Sequence, residues 1–368
     1  MNEPIFIARQ DTLEQEILPA HWLSQYKLFG EESYTFQDKE IWKKLCMSRA
    51  AANDRDMHAE ALEEMLTTFS AEHTGKWMLT VYGMDAAVLE GLASMAAIAA
   101  NGTAMAAVAG NALLMHAITN SETAMQAISR SQTAMQRVAN STTVMDAISG
   151  SKIARDAVQA SPYYNSYIKE NDMAIAKLAV ALASLESAGY SGMAGVAADS
   201  TAMTAVAASS TAMTAVAASS TAMTAVAASG VALQAIAKAY KQTADMLKFL
   251  QAVNASDTLI KSIYNTLTKA TTLFAAAQLG AQDDVASANS WATTSAAPNA
   301  FLACACGYYS SGNSVNVTYN GTVIAQKKTG TAKPGSVTST NVNAITMAPS
   351  TFTENGDGYL AVQKFTAK

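Results

Sequence analysis

Apolar residues recur along much of this chain at a spacing of ten. From residue 91 the rows read GLASMAAIAA, NGTAMAAVAG, NALLMHAITN, SETAMQAISR, SQTAMQRVAN, STTVMDAISG and SKIARDAVQA. The fifth position holds Met95, Met105, Met115, Met125, Met135 and Met145, then Arg155. The eighth is always branched: Ile98, Val108, Ile118, Ile128, Val138, Ile148 and Val158. Pro162, Tyr163 and Tyr164 interrupt the series. It resumes in a new phase as SGMAGVAADS and near-identical copies of TAMTAVAASS, pairing Met193, Met203, Met213 and Met223 with Val196, Val206, Val216 and Val226.

Methionine and valine three residues apart share one face of a helix, and the residues between them are good helix formers. A helix turns about 100° per residue, so a decad falls about 80° short of three full turns, and the stripe would circle the helix within a few repeats. A long straight coiled coil is therefore disfavoured. Each decad predicts a short helix with its own ends. Ser121, Ser131, Ser141 and Ser151 stand where an N-cap belongs, and Asn120, Asn140 and Gly150 where a left-handed C′ residue belongs. Helices this short are marginal alone and must stack on neighbouring repeats or on other chains. The expected fold is mixed and multi-domain: mainly α, with decapeptide short helices forming a shaft or solenoid, and a C-terminal all-β domain. A β-solenoid shaft is the alternative, favoured by Ser, Thr and Val and opposed by the abundance of alanine.

The pattern divides the chain into 1–80, a first repeat block 81–160, a break 161–190, a second block 191–230, a helical segment 231–284 and a β-rich region 285–368. The first region is rich in charge and holds Trp22, Trp42 and Trp77, with a predicted helix over Lys39–Thr68. In 231–281, Leu233, Ile236, Tyr240, Leu247, Leu250, Val253, Leu259 and Ile263 recur at helical steps. Beyond 285, Val315–Tyr319 and Thr322–Gln326 flank Asn320-Gly321, which predicts a hairpin with a type I′ turn. Further strands are expected at Phe301–Tyr309, Ser336–Met347 and Tyr359–Phe365, making a small β-sandwich or knob.

Composition narrows the function classes. Only 14% of residues are charged and the net charge is -5, which offers no basic face for nucleic acid. Half the residues are apolar but alanine and methionine dominate, and such side chains specify a thick globular core poorly. Three cysteines are too few for a disulfide framework. The opening MNEPIFIARQDTLEQE has acids and no apolar leader core. Residues 91–115 carry no charge and reach span length, yet they are mostly Ala and Gly, interrupted by Asn101, Thr103 and Asn111, so no membrane span is expected.

Candidate chemistry is sparse. Cys304 and Cys306 form a CxC without a second ligand pair, and His21, His58, His73 and His116 are scattered, so buried apolar packing is the better reading. Glu354-Asn355-Gly356-Asp357-Gly358 has oxygen ligands but not the length or terminal carboxylate of an EF-hand loop, and reads as a turn. The methionine ladder reads as core. No nucleophile–histidine–acid set, phosphate loop or acid pair stands out, so no catalytic residue, cofactor or metal site is expected. Tyr308, Tyr309, Tyr319 and Tyr359 are candidates for a receptor or sugar surface, because tyrosine joins an apolar face to a polar tip. Filling the β core is their alternative.

The repeated S-x-T-A-M-x-A-V/I-A pattern resembles tail-fibre and related virion proteins of tailed bacteriophages, as does the order of distinct N-terminal piece, repetitive shaft and β-rich end. The resemblance covers roughly 84–368. It implies a virion protein, assembled in the host cytoplasm, with 1–80 attached to other tail or baseplate proteins. It implies a homotrimer that reaches a bacterial surface glycan or protein through a terminal domain. A connector in baseplate or collar is the alternative. A polysaccharide-depolymerising tailspike is disfavoured, since Glu354 and Asp357 are the only acids after Asp284.

Overall fold

In a computed structural model of the chain the described residues are 62–63, 92, 94–239, 244–283, 300–308, 314–327, 335–355 and 358–368. The tryptophans of the first region and its predicted helix lie outside them, except that Leu62 and Glu63 are helical. The chain divides into two compact units, Met1–Ile168 and Lys169–Lys368.

In the first unit each decad makes one short helix: α1 (Met95–Ala100), α2 (Gly102–Ala109), α3 (Ala112–Thr119), α4 (Glu122–Ser129), α5 (Gln132–Ala139), α6 (Thr142–Gly150) and α7 (Lys152–Gln159). A π-turn at Tyr164–Ile168 follows. Ser121, Ser131, Ser141 and Ser151 are N-caps as their positions predict, each hydroxyl accepting the amide three residues on. Helices α3 to α6 each bury the third, fourth, seventh and eighth residues after the cap, which in α4 are Ala124, Met125, Ile128 and Ser129; α7, with Arg155 at the fourth position, buries only Ala154 and Val158. α1 packs on α4, α2 on α5, α3 on α6 and α4 on α7. A decad is one helix and one corner, so three decads bring the chain back to the same side.

The left-handed C′ residues are not there. Asn120 and Asn140 have φ of -102° and -101°, and Gly150 is the last residue of α6. The corner is tighter than a Schellman turn: Asn120 and Ser121 donate their amides to the carbonyls of Ala117 and Ile118, at 3.2 and 3.1 Å. These bonds occupy the terminal carbonyls that a left-handed cap would otherwise serve.

The expected break at 161–190 is narrower in structure. Ser161 accepts the Tyr163 amide at 3.1 Å. Ile168, seven residues on, is buried as Ile128 is seven residues after Ser121. The π-turn packs on α5, so residues 161–168 occupy a decad's place despite Pro162.

The second unit opens with α8 (Asp172–Leu182), capped by Asn171. The phase change falls in the loop 183–192, where Ser184 and Gly189 take positive φ of 62° and 95°. Beyond it lie α9 (Met193–Ala198), α10 (Ser200–Ala208), α11 (Ser210–Ala218), α12 (Ser220–Ala227), α13 (Gly230–Lys238), α14 (Ala244–Asn254) and α15 (Asp257–Lys269). The chain bends by 101° between α10 and α11 and by 97° between α12 and α13. Packing is again between each helix and the third one after it, from α8 on α11 to α12 on α15. Among the described residues no single helix is long and apolar enough to cross a membrane.

The helical segment expected over 231–284 ends at Lys269. Residues Phe274–Asp283 form strand β1 instead. This run has no helical stripe, and pairing with the C-terminal strand overrides alanine's helix preference. The other strands are β2 (Ala300–Tyr308), β3 (Ser314–Tyr319), β4 (Thr322–Lys327), β5 (Ala344–Met347), β6 (Ser350–Asn355) and β7 (Gly358–Ala367). They form two antiparallel sheets, ordered β1-β7-β2-β5 and β4-β3-β6. Both contribute to one apolar core, through Phe301, Ile345 and Phe365 of the first and Val315, Val317 and Phe352 of the second. The β3–β4 turn is type I′ as predicted, with φ of 47° at Asn320 and 74° at Gly321.

The strand expected over Ser336–Met347 begins only at Ala344. Upstream, Asn341 accepts the Thr338 amide at 2.7 Å and donates to the Ser336 carbonyl at 2.8 Å. These local side-chain bonds compete with a sheet ladder. β6 was not expected; of the residues read as the turn Glu354–Gly358, Glu354 and Asn355 end β6, Gly358 begins β7, and 356–357 lie outside the described residues.

Candidate functional site

The candidate tyrosines separate on burial. Tyr319, on β3, is fully buried, and Tyr359, on β7, is 7% exposed. Tyr319 belongs to the apolar core, and with both rings buried neither presents itself to a surface ligand. The Tyr308 side chain and Tyr309 lie outside the described residues, as do the side chains of Glu354 and Asp357.

Cys304 and Cys306 are both free thiols buried in β2. Two residues apart on a strand, they share a face. Burial holds the Cys304 thiol well above its ordinary 9.0. It pushes Cys306 up to about 12, with Lys327 pulling weakly the other way. Such thiols are poor nucleophiles and poor metal ligands at neutral pH.

The polar geometry that recurs lies at the corners between helices. The hydroxyls of Ser131, Ser151 and Ser161 donate to the carbonyls of Ala99, Thr119 and Ser129, each 32 residues earlier, at 2.5–2.6 Å. Ser229 repeats the bond to Ala197 in the second unit at 2.5 Å. One hydroxyl thus caps its own helix and ties its corner to the corner three helices before.

Two carboxylates reinforce these corners. Glu63 accepts from Ser121 Oγ and, at 2.6 Å, from Thr123 Oγ1, at the start of α4. Glu170 accepts from Ser220 Oγ at 2.8 Å and from the Ser220 and Thr221 amides at 3.1 and 3.0 Å, at the start of α12. Partial burial raises the Glu170 pKa, but the Ser220 and Thr221 bonds outweigh it and the net shift is downward. Both acids sit at helix N-termini, where the backbone favours negative charge. Sequence reasoning passed over them, since a single glutamate far along the chain from its partners has no spacing signal.

The loop 183–192 is fixed from inside. Lys177 is 1% exposed and donates to the Ser187 carbonyl at 3.1 Å. Asp172 accepts the Met193 amide at 2.8 Å, and a β-carbon at Gly192 would collide with its carboxylate. The Tyr190 hydroxyl donates to Asp199, the N-cap of α10, at 2.8 Å.

Among the described residues, grooves open on the helix faces. One, of about 450 Å³, lies among Gly230, Asn265, Thr266 and Lys269. Another, of about 510 Å³, lies among Ala96, Thr123, Gln126 and Arg130. Among the described residues no group of three or more His, Cys, Asp or Glu is placed to hold a metal ion.

No family model matches the chain, and no curated protein matches its sequence.

Proposed function

We propose that this chain is a structural fibre component of a tailed-bacteriophage virion, with the stacked helices as a solenoidal shaft and the two-sheet region as its terminal module. The observation that carries this reading is the corner serine that bonds 32 residues back, found in both units. A coil held to its predecessor by the same bond can be lengthened three decads at a time without changing its interior. That is the mechanical requirement of a shaft, and the phage-like decads supply the context. Within that reading, the burial of Tyr319 and Tyr359 favours a connector, whose β region docks on other virion proteins, over a receptor-binding tip built from these two tyrosines.

The test is mass spectrometry of purified particles from the source of this sequence, followed by immunogold labelling with antibody against residues 300–368. Label at the free end of an appendage supports adhesion, and label at its base supports the connector. A chain missing from purified particles refutes both.

A further inference from the structure

Among the described residues strand β1 is an edge strand, hydrogen-bonded to β7 on one side only. It is ten residues long. Ala275, Ala276, Ala277, Gln278 and Leu279 are all exposed, so both faces of the strand meet solvent. Phe274 anchors its start, 2% exposed, with its amide on the Ala270 carbonyl at 2.9 Å. From Phe274 to Gln282 there is neither charge nor proline.

The other edge of the same sheet is closed. β5 has only four residues, and the Asn254 side chain occupies its outer backbone, accepting the Ile345 amide at 3.1 Å and donating to the Ile345 carbonyl at 2.6 Å. In the second sheet, β4 carries Lys327 and packs against α14. Charge, shortness, bulges and covering groups are the devices that keep strand edges from pairing. β1 has one of them, a bulge between Gln278 and Gly280, which leaves Phe274–Gln278 in regular register.

We propose that Phe274–Gln278 is a self-association edge, pairing antiparallel with the same segment of a second copy of this chain about a two-fold axis at Ala276. The sequence is self-complementary there. Ala275 falls opposite the partner's Ala277 and Ala276 opposite the partner's Ala276, with no like charges facing. The small side chains let two sheets join edge to edge without steric conflict, and main-chain bonds supply the attraction. This inference does not depend on the virion reading and differs from the trimer that the fibre resemblance implies, because a two-fold pairing closes at two copies.

Analytical ultracentrifugation of the full chain should show a concentration-dependent dimer. Ala276→Lys, which sets two ammonium groups opposite each other, should render it monomeric. Ala275→Lys together with Ala277→Glu sets opposite charges across the pair and should retain the dimer. Hydrogen exchange of the unaltered protein gives a readout independent of any variant: β1 amides should gain protection as concentration rises. A chain that stays monomeric, a stable trimer, or an Ala276→Lys protein that folds and still dimerises would each overturn the proposal. The monomeric result would leave the edge to a strand from a different protein.

Discussion

The hydroxyl of Ser131 donates to the Ala99 carbonyl at 2.6 Å while accepting the Ala134 amide at 3.2 Å. One side chain therefore serves a local purpose and a long-range one. Ser141 separates them, since it caps α6 through the Val144 amide and makes no bond 32 residues back among the described residues. Ser141→Ala should cost about 1 kcal/mol, the usual value of a cap. Ser131→Ala should cost about 1 kcal/mol more, because it also strips a partner from the Ala99 carbonyl. Ser131→Asp can cap but cannot donate, so it should fall on the destabilised side while Ser131→Thr stays near the original. Chemical denaturation of the four variants checks the order. Equal losses at positions 131 and 141 would remove the long-range bond from the account.

The interior depends on methionine for volume. Met135 and Met213 are fully buried, each beside the branched residue three positions on. Met135→Ala or Met213→Ala should cost about 2–5 kcal/mol through lost burial and the cavity left behind. Leucine at either position should cost under about 1.5 kcal/mol, since the core accepts volume-conserving change. Thermal denaturation followed by circular dichroism measures both.

Much of this was legible in the sequence because a decad encodes a whole helix. Ser121 and Ser131 mark the cap, Met125 and Ile128 the buried face, and Asn320-Gly321 the hairpin. What was not legible depended on partners far along the chain. The corners need no left-handed residue, since the following serine's own amide closes them. β1 reads as alanine-rich helix until β7 is there to pair with it. Tyr319 and Tyr359 could be assigned to core or surface only once the strands had register. Glu170 gains its role from Ser220 and Thr221, fifty residues on.

Glu170 makes that bond pH-sensitive. Its pKa is lowered in the folded chain, despite burial, by the bonds from Ser220 and Thr221, relative to an ordinary 4.5. A depressed carboxylate contributes stability that is present above the unfolded value and is lost as pH falls through the folded one. Stability of the helix stack should thus decline as pH drops below about 4.5. Glu170→Gln should be less stable at neutral pH and lose part of that acid-side slope. Parallel pH titrations of the two proteins in urea would test it, and superimposable slopes would contradict it.

The buried thiols of Cys304 and Cys306 should be silent in the native protein. With Cys46→Ser as background, a neutral-pH thiol reagent should label neither until the β region opens, because burial keeps both protonated. The labelling rate then reports opening of β2 and should rise with urea. Rapid labelling in native buffer would mean that β2 opens readily.

The turn between β3 and β4 offers a test of backbone conformation without side-chain contacts. Gly321 has φ of 74°, and a β-carbon there would meet nothing within 4 Å. Gly335 is equally open, without a positive φ in that range. Gly321→Ala should therefore cost about 1–2 kcal/mol, the penalty of a left-handed backbone for an L-residue. Gly335→Ala should be neutral or gain up to about 1 kcal/mol, by restricting the unfolded chain. Gly321→Asn, which tolerates the left-handed region, should recover part of the loss. Equal behaviour of the two alanine variants in denaturant titrations would mean that the type I′ geometry is not what holds this hairpin.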